Sequence, residues 1–496
     1  MSTNRHRSVA DARQPRVPAR RCWRQALVLL LPLAILPLAA PAQAPAQDPL
    51  SRLLYTDAAH YLASPSAEVR GEAALVLAAA GDVRNYDVIL AVARDPAPEA
   101  RLRGLLALGY LGDAGAQNAL DTVIDASSSR VRPDGVAAAF ALGLLPDEHA
   151  AAAVAAQLVH FQESSLKRQR DALLAMVTAL ASRASTTQQA ALRQLYKDDS
   201  LRDPVVRAAL LLALAHVRDG VAATEIARVI AGSSVEERRA LLSAMAAGTL
   251  APDASLLPQL ERLAARDHDA VVRTRALALL TRLRHLPALD LAARAVQSEE
   301  PAEIEQATRT MLQLGGAPMR RAIERQIDFL AEPGQAALLR GFSGAMSSEF
   351  EAACRHVGAD GKAAPQLRTA AALALAHGGV DARALLQERF VAEHDAEALR
   401  PLAKALVQGG AEPPALATLH AGDLADDLAR DSVRLLALLQ AGHPQASRFC
   451  VEQLQRKDLP EASAASILRA LRTSRLGQAA PELLQLMPEP VQALLR

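Results

Sequence analysis

Apolar residues recur along this chain at the spacing of one helix face. After Ser64-Pro65, a cap and first-turn pair, they fall at Val69, Ala73, Val76, Leu77 and Ala80. Gly81-Asp82 ends that run. A second face follows at Tyr86, Ile89, Leu90 and Ala93, and Asp95-Pro96 stops it. A shift of about 31 residues brings the pattern back, with Ala100, Gly104, Ala107, Leu108 and Leu111 closed by Gly112-Asp113. Further units open at Asp203-Pro204-Val205-Val206-Arg207 and Asp269-Ala270-Val271-Val272-Arg273. Downstream, Gly315-Gly316, Gly378-Gly379, Gly409-Gly410 and Gly442 mark helix ends.

A helix pair of this length cannot bury its apolar faces alone, and stacking such pairs builds one continuous core. The spacing therefore predicts an all-α chain, an α-solenoid of about thirteen stacked antiparallel helix pairs over residues 47–496. The pattern is clearest over 64–150 and 200–290 and degenerates from 300 on, with 330–365 a candidate hinge. A linear stack is a curved rod with two exposed ends. The segments 51–63 and 481–496 are the expected caps.

Composition supports helices. Hydrophobic residues make up 51 % of the chain and aromatics only 3 %. The apolar share is mostly Ala and Leu, both strong helix formers, while the β-branched and aromatic runs that build sheets are scarce.

The N-terminus has a different layout. An Arg-rich stretch over 1–25 precedes an uncharged apolar run from Ala26 to Ala40, and small residues follow. This is the three-part pattern of a secretory signal peptide over 1–46, with cleavage expected after Ala42 or Ala46. The run contains Pro32 and Pro37 and falls short of the roughly 20 apolar residues a membrane-spanning helix needs. The expectation is a mature chain without a membrane span, in the periplasm or outside the cell. Cys354 and Cys450 then remain. They lie about three repeats apart, too far for a disulfide in a stack of helices, so two unpaired thiols are expected.

Removing the leader changes the charge. Of 55 basic and 54 acidic residues, seven Arg and only Asp11 precede residue 43, which leaves 48 and 53, a net of −5. An acidic mature chain with few aromatics argues against nucleic acid as the partner.

The recurring Asp-x-x-Val-Arg-x-x-Ala-x-x-Ala-Leu-Gly wording resembles the HEAT-repeat family, in its short bacterial HEAT-like, bilin-lyase-like subtype. Val69-Arg70, Val131-Arg132, Val206-Arg207 and Val272-Arg273 carry the likeness, with Ala107-Leu108-Gly109 and Ala141-Leu142-Gly143. Glu305 takes the Arg position in one unit, and Arg368, Arg400 and Arg434 keep it loosely. The resemblance implies an ARM-type superhelix with a binding or scaffolding role and no reaction of its own. It also implies that Arg70, Arg101, Arg132, Arg207 and Arg273 form a structural ladder, each reaching an Asp of a neighbouring turn. Asp203 and Asp269 stand just upstream of two of them.

Candidate chemistry is sparse. The 12 His are scattered and none forms His-Glu-x-x-His. Gly341-Phe342-Ser343-Gly344 falls one residue short of a nucleophile elbow and lies in a helical stretch. Ser164-Ser165-Leu166-Lys167 lacks the companion motifs of serine acyl-enzymes. No catalytic, cofactor or metal residue is expected. All five Tyr precede residue 200, and Tyr61 and Tyr110 are the candidate partner patch. The expected function is a non-catalytic binding or scaffold protein of the bacterial cell envelope, engaging a protein. The alternative is a bilin-lyase-like factor that presents a small molecule or peptide for modification.

Overall fold

The computed structural model describes residues 58–476, apart from 80–85, 112–116, 128–131, 146, 164–165, 182–183, 199–200, 202, 233, 247–253, 410–432 and 457, and it also describes residue 491. The expected leader and the 481–496 cap, Val491 aside, lie outside these residues. Among the described residues every regular element is helical and none is a strand. After a 3₁₀ turn at Tyr61–Ala63 come α1 (Ala67–Ala79), α2 (Tyr86–Ala93), α3 (Pro98–Leu111), α4 (Gln117–Ser127), α5 (Arg132–Leu144) and α6 (Asp147–Glu163). Next are α7 (Leu166–Leu180), α8 (Gln189–Lys197), α9 (Pro204–His216), α10 (Gly220–Gly232), α11 (Val235–Ala246) and α12 (Leu257–Arg266). Then follow α13 (Ala270–Arg282), α14 (Ala288–Ala295), α15 (Pro301–Gln326), α16 (Glu332–Gly341), α17 (Ser348–Ala359) and α18 (Pro365–His377). The last are α19 (Arg383–Ala392), α20 (Ala396–Gln408), α21 (Pro444–Leu454) and α22 (Glu461–Leu476), with 433–440 also helical.

The helices form two rows. In the first row α1, α3, α5, α7, α9, α11, α13 and α15 pack side by side in chain order, and α16, α18 and α20 continue it. The second row alternates with the first in sequence, and its members touch one another far less. Most second-row helices pack mainly on the first-row helix that follows, as α2 does on α3 and α12 on α13, whereas α10 packs more on the preceding α9.

First-row helices are more buried than a one-sided pattern implies. In α1 every residue from Gly71 to Ala78 is buried. The same holds in α9, where every residue from Ala208 to Leu214 is buried. Small side chains make this close packing feasible. A Cβ on Gly109 would lie 2.6 Å from Cα of Ala141 in α5, and one on Gly104 would lie 2.4 Å from the backbone N of Ala93 in α2. Only glycine permits those approaches.

The helix ends share one chemistry. Asp203 and Asp269 cap α9 and α13 by accepting from the backbone N–H groups of the first turn, and Pro204 supplies the preset φ of the first helical position. At the other end, α9, α13, α18 and the 433–440 helix finish with the same pair of backbone bonds. In α9, Asp219 N–H donates to Leu214 O and Arg218 N–H to Ala215 O. His285 and Arg284, Val380 and Gly379, and His443 and Gly442 repeat this. The residue in the left-handed region is Gly379 or Gly442 in two cases and Arg218 (φ 56°) or Arg284 (φ 53°) in the others. Gly316 (φ 61°) joins two helices inside α15 without a loop. The 330–365 segment forms α16 and α17, well packed against α15 and α18.

The described ends do not stand apart as the ends of a rod. α22 packs along α1, on the flank opposite α3. The Tyr61 hydroxyl donates to the Leu454 carbonyl at 3.0 Å, and the Ser64 hydroxyl donates to Glu461 at 3.1 Å. Of the expected N-terminal cap, 51–57 lie outside the described residues, and Tyr61 of the described part sits at this joint. The open-ended stack is corrected for a physical reason: α1 carries buried side chains on both flanks and needs a neighbour on each.

Candidate functional site

Three of the ladder arginines share one geometry, and Arg207 follows it loosely. Arg70 donates from NH1 to the carbonyls of Ser64 (2.8 Å) and Pro65 (2.9 Å), while Nε and NH2 grip both carboxylate oxygens of Asp95 at 2.8 and 2.9 Å. Arg101 donates to the Asp95 and Pro96 carbonyls and to Asp134. Arg273 donates to the Asp267 and His268 carbonyls and to Glu303. Arg207 stacks on the Tyr196 ring at 4.6 Å and pairs with Glu237 at 3.5 Å. Each guanidinium ties its own loop to an acid at or just before the next first-row helix, where the helix dipole also favours a negative charge. Arg132 lies at the first position of α5, and its side chain falls outside the described ones.

The partners differ from those expected. Asp203 is gripped by Arg170 at 2.6 Å, from the preceding unit, and Asp269 by Arg239. Each upstream Asp therefore serves the unit before its own. Arg170, Arg238 and Arg239 went unrecognised in the sequence because their partners lie about one repeat further on. Glu305 inverts a rung, since Arg340 of the next helix reaches back to it at 2.9 Å. The hydrogen bond from Arg70 holds the Asp95 carboxyl below its usual range, and Arg239 does the same to Asp269.

The joint between α1 and α22 holds a second charge cluster. The Glu72 side chain is fully buried. Arg103 Nε of α3 lies 3.0 Å from its Oε1 and Arg472 Nε of α22 lies 3.0 Å from its Oε2. Arg469 stands 3.6 Å away and also bonds Glu68. Burial pulls the Arg472 guanidinium below its usual value, against the pull of Glu72. Tyr61 belongs to this joint and is 8 % exposed, so it is not a surface anchor. Tyr110 is half-buried with its ring 6.3 Å from that of Phe140.

Surface clefts among the described residues include these two. One, of about 300 Å³, lies among the ends of α18 and α20 and the start of α19, beside His377, Asp381 and Arg383. The other, of about 400 Å³, runs between second-row helices α12 and α14. Pro258, Ala265, Pro287 and Leu291 give it an apolar lining, and Arg262, Arg266 and Arg294 line it as well. No group of three or more His, Cys, Asp or Glu among the described residues could hold a metal ion. Cys354 and Cys450 are both buried and unbonded. Burial pushes the Cys354 thiol up to about 12 and that of Cys450 higher still.

No protein-family model matches this sequence, and no curated protein matches it either. No described helix is long and apolar enough to cross a membrane.

Proposed function

We propose that this chain is an exported, non-catalytic binding protein of the cell envelope, a HEAT-like α-solenoid that holds a protein partner on its helical surface. One observation carries this reading. The same two-helix unit recurs, fastened by the same arginine geometry at Arg70, Arg101 and Arg273. A stack of like units spreads one extended surface over many helices, which suits gripping a macromolecule. The charged groups of the rungs are engaged with one another, which fits a structural duty for them.

Crosslinking in the native cell, followed by isolation of the mature chain, tests the reading. A discrete protein recovered reproducibly supports it. Recovery of a small molecule with no protein overturns it. N-terminal sequencing of the isolated chain should begin at Gln43 or Gln47, and an intact Met1 in the membrane fraction would overturn the export reading.

A further inference from the structure

Most described arginines are engaged with a carboxylate, and those beside the α12–α14 groove are not. Among the described residues Arg266 has no side-chain hydrogen bond or ion pair, and it is exposed. Arg262 spends one N–H on the Ala231 carbonyl, and Arg294 spends Nε on the carbonyl of Asp290. Neither pairs with a described acid. The nearby carboxylate of Glu261 is taken by His285. On the end of α15, beyond Gly316, exposed Arg321 has no side-chain partner among the described residues and Arg325 bonds only a backbone carbonyl. A chain with a net charge of −5 beyond its leader thus carries unneutralised guanidiniums on α12, α14 and the end of α15.

The residues line the groove at helical spacing. On α12 they are Pro258, Arg262, Ala265 and Arg266, and at the cap of α14 and along it they are Pro287, Asp290, Leu291 and Arg294. Arg266 and Arg294 both stand at the C-terminal ends of their helices. Glu261 and Asp290 lie midway along the same groove. That mixture decides between ligands. A nucleic-acid strand carries a phosphate at every step and would run over both carboxylates. A peptide can set acidic side chains against Arg266 and Arg294 and an apolar one over Leu291. Guanidinium forks match carboxylates in bidentate geometry.

We propose that the α12–α14 groove is a docking site for an acidic segment of a protein partner, with Arg262, Arg266 and Arg294 as its recognition residues. This rests on the binding-protein reading above and names the chemistry of the partner.

The test is fluorescence polarisation on the mature chain with a labelled Glu/Leu dodecapeptide, its Gln/Leu counterpart, and a single-stranded oligonucleotide of similar charge. The peptide should bind and weaken with added salt. R266E/R294E should weaken it by about tenfold or more, since each reversal turns attraction into repulsion. R218E, an exposed arginine in the loop between α9 and α10, should leave it unchanged, and circular dichroism should show all three proteins folded. Binding that survives R266E/R294E overturns the proposal. So does an oligonucleotide or Gln/Leu peptide held as tightly, or no binding at all. If native-cell crosslinking recovers a protein partner fixed elsewhere on the chain, the groove falls while the binding-protein reading stands.

Discussion

Arg472 of α22 and Glu72 of α1 meet at 3.0 Å, with both side chains almost wholly removed from solvent. Arg103 meets the other oxygen of the same carboxylate, also at 3.0 Å. One buried acid thus fastens α1 to both α3 and α22. Removing one partner of such a set leaves buried charge uncompensated, at a cost of about 3–5 kcal/mol. Glu72→Gln should therefore lower the urea midpoint sharply. Arg472→Met should cost less, because Glu72 keeps Arg103. Equal losses for the two variants would contradict this account.

Close helix approach gives a second prediction. Gly109→Ala pushes a methyl to within 2.6 Å of the α5 backbone, and overpacking of this kind costs about 1–3 kcal/mol. Gly232→Ala is the control, since nothing lies within 4 Å of its added Cβ. Thermal melts should show a lower midpoint for the first variant and no loss for the second.

Arg218 and Arg284 occupy a backbone conformation that Gly379 and Gly442 hold at the matching helix ends. A left-handed residue with a side chain is strained by roughly 1 kcal/mol relative to glycine. Arg218→Gly and Arg284→Gly should each raise the melting temperature. Arg218→Ala should not, because alanine keeps the Cβ that causes the strain.

Acid should loosen the stack in two stages. His216 and His377 have pKa values below the usual 6.5, chiefly through partial burial, with Lys404 and Arg309 adding to the effect at His377. Their neutral forms are favoured by folding, so this stability is complete above pH 6.5 and is lost as pH falls through the lowered values. Asp95 and Asp269 are held below 3.8 by their arginines. Their share persists until pH drops below 3.8 and then goes. Urea midpoints measured from pH 7 down to pH 3 should fall in that order, and a midpoint that rises on acidification would contradict it.

The two buried thiols should ignore a maleimide reagent in the native protein and react fully in denaturant, as mass spectrometry would show. Thiolate is the reactive form, and burial suppresses it at Cys354 and Cys450. Rapid labelling of either in native buffer would be the contrary result.

The helices were readable because the apolar period is local and is repeated in every unit. The arginines were readable for the same reason. Their partners were not, because a rung joins residues about one repeat apart and two acids stand within reach in the sequence; Asp203 looked like the mate of Arg207 and serves Arg170. The joint between α1 and α22 left no local trace. Glu72 sits inside an apolar run, off the face that the helical period picks out, and two of its partners lie in a helix at the far end of the chain. The groove arginines, scattered over α12 and α14, become neighbours only when those two helices are laid side by side.

The contact between α1 and α22 also bears on how the chain is made. Synthesis proceeds from the N-terminus, so α1 exists long before α22 does. Until α22 arrives, one flank of α1 has no lasting neighbour, and buried residues such as Leu75 and Leu77 belong to a helix still half covered. A chain broken off before Glu461 leaves that flank bare for good and presents the kind of apolar surface that draws aggregation and quality-control proteases. Synthesis through α22 and concealment of α1 are thus a single event, and the fold ties the covering of one of its early helices to the arrival of a segment some four hundred residues later.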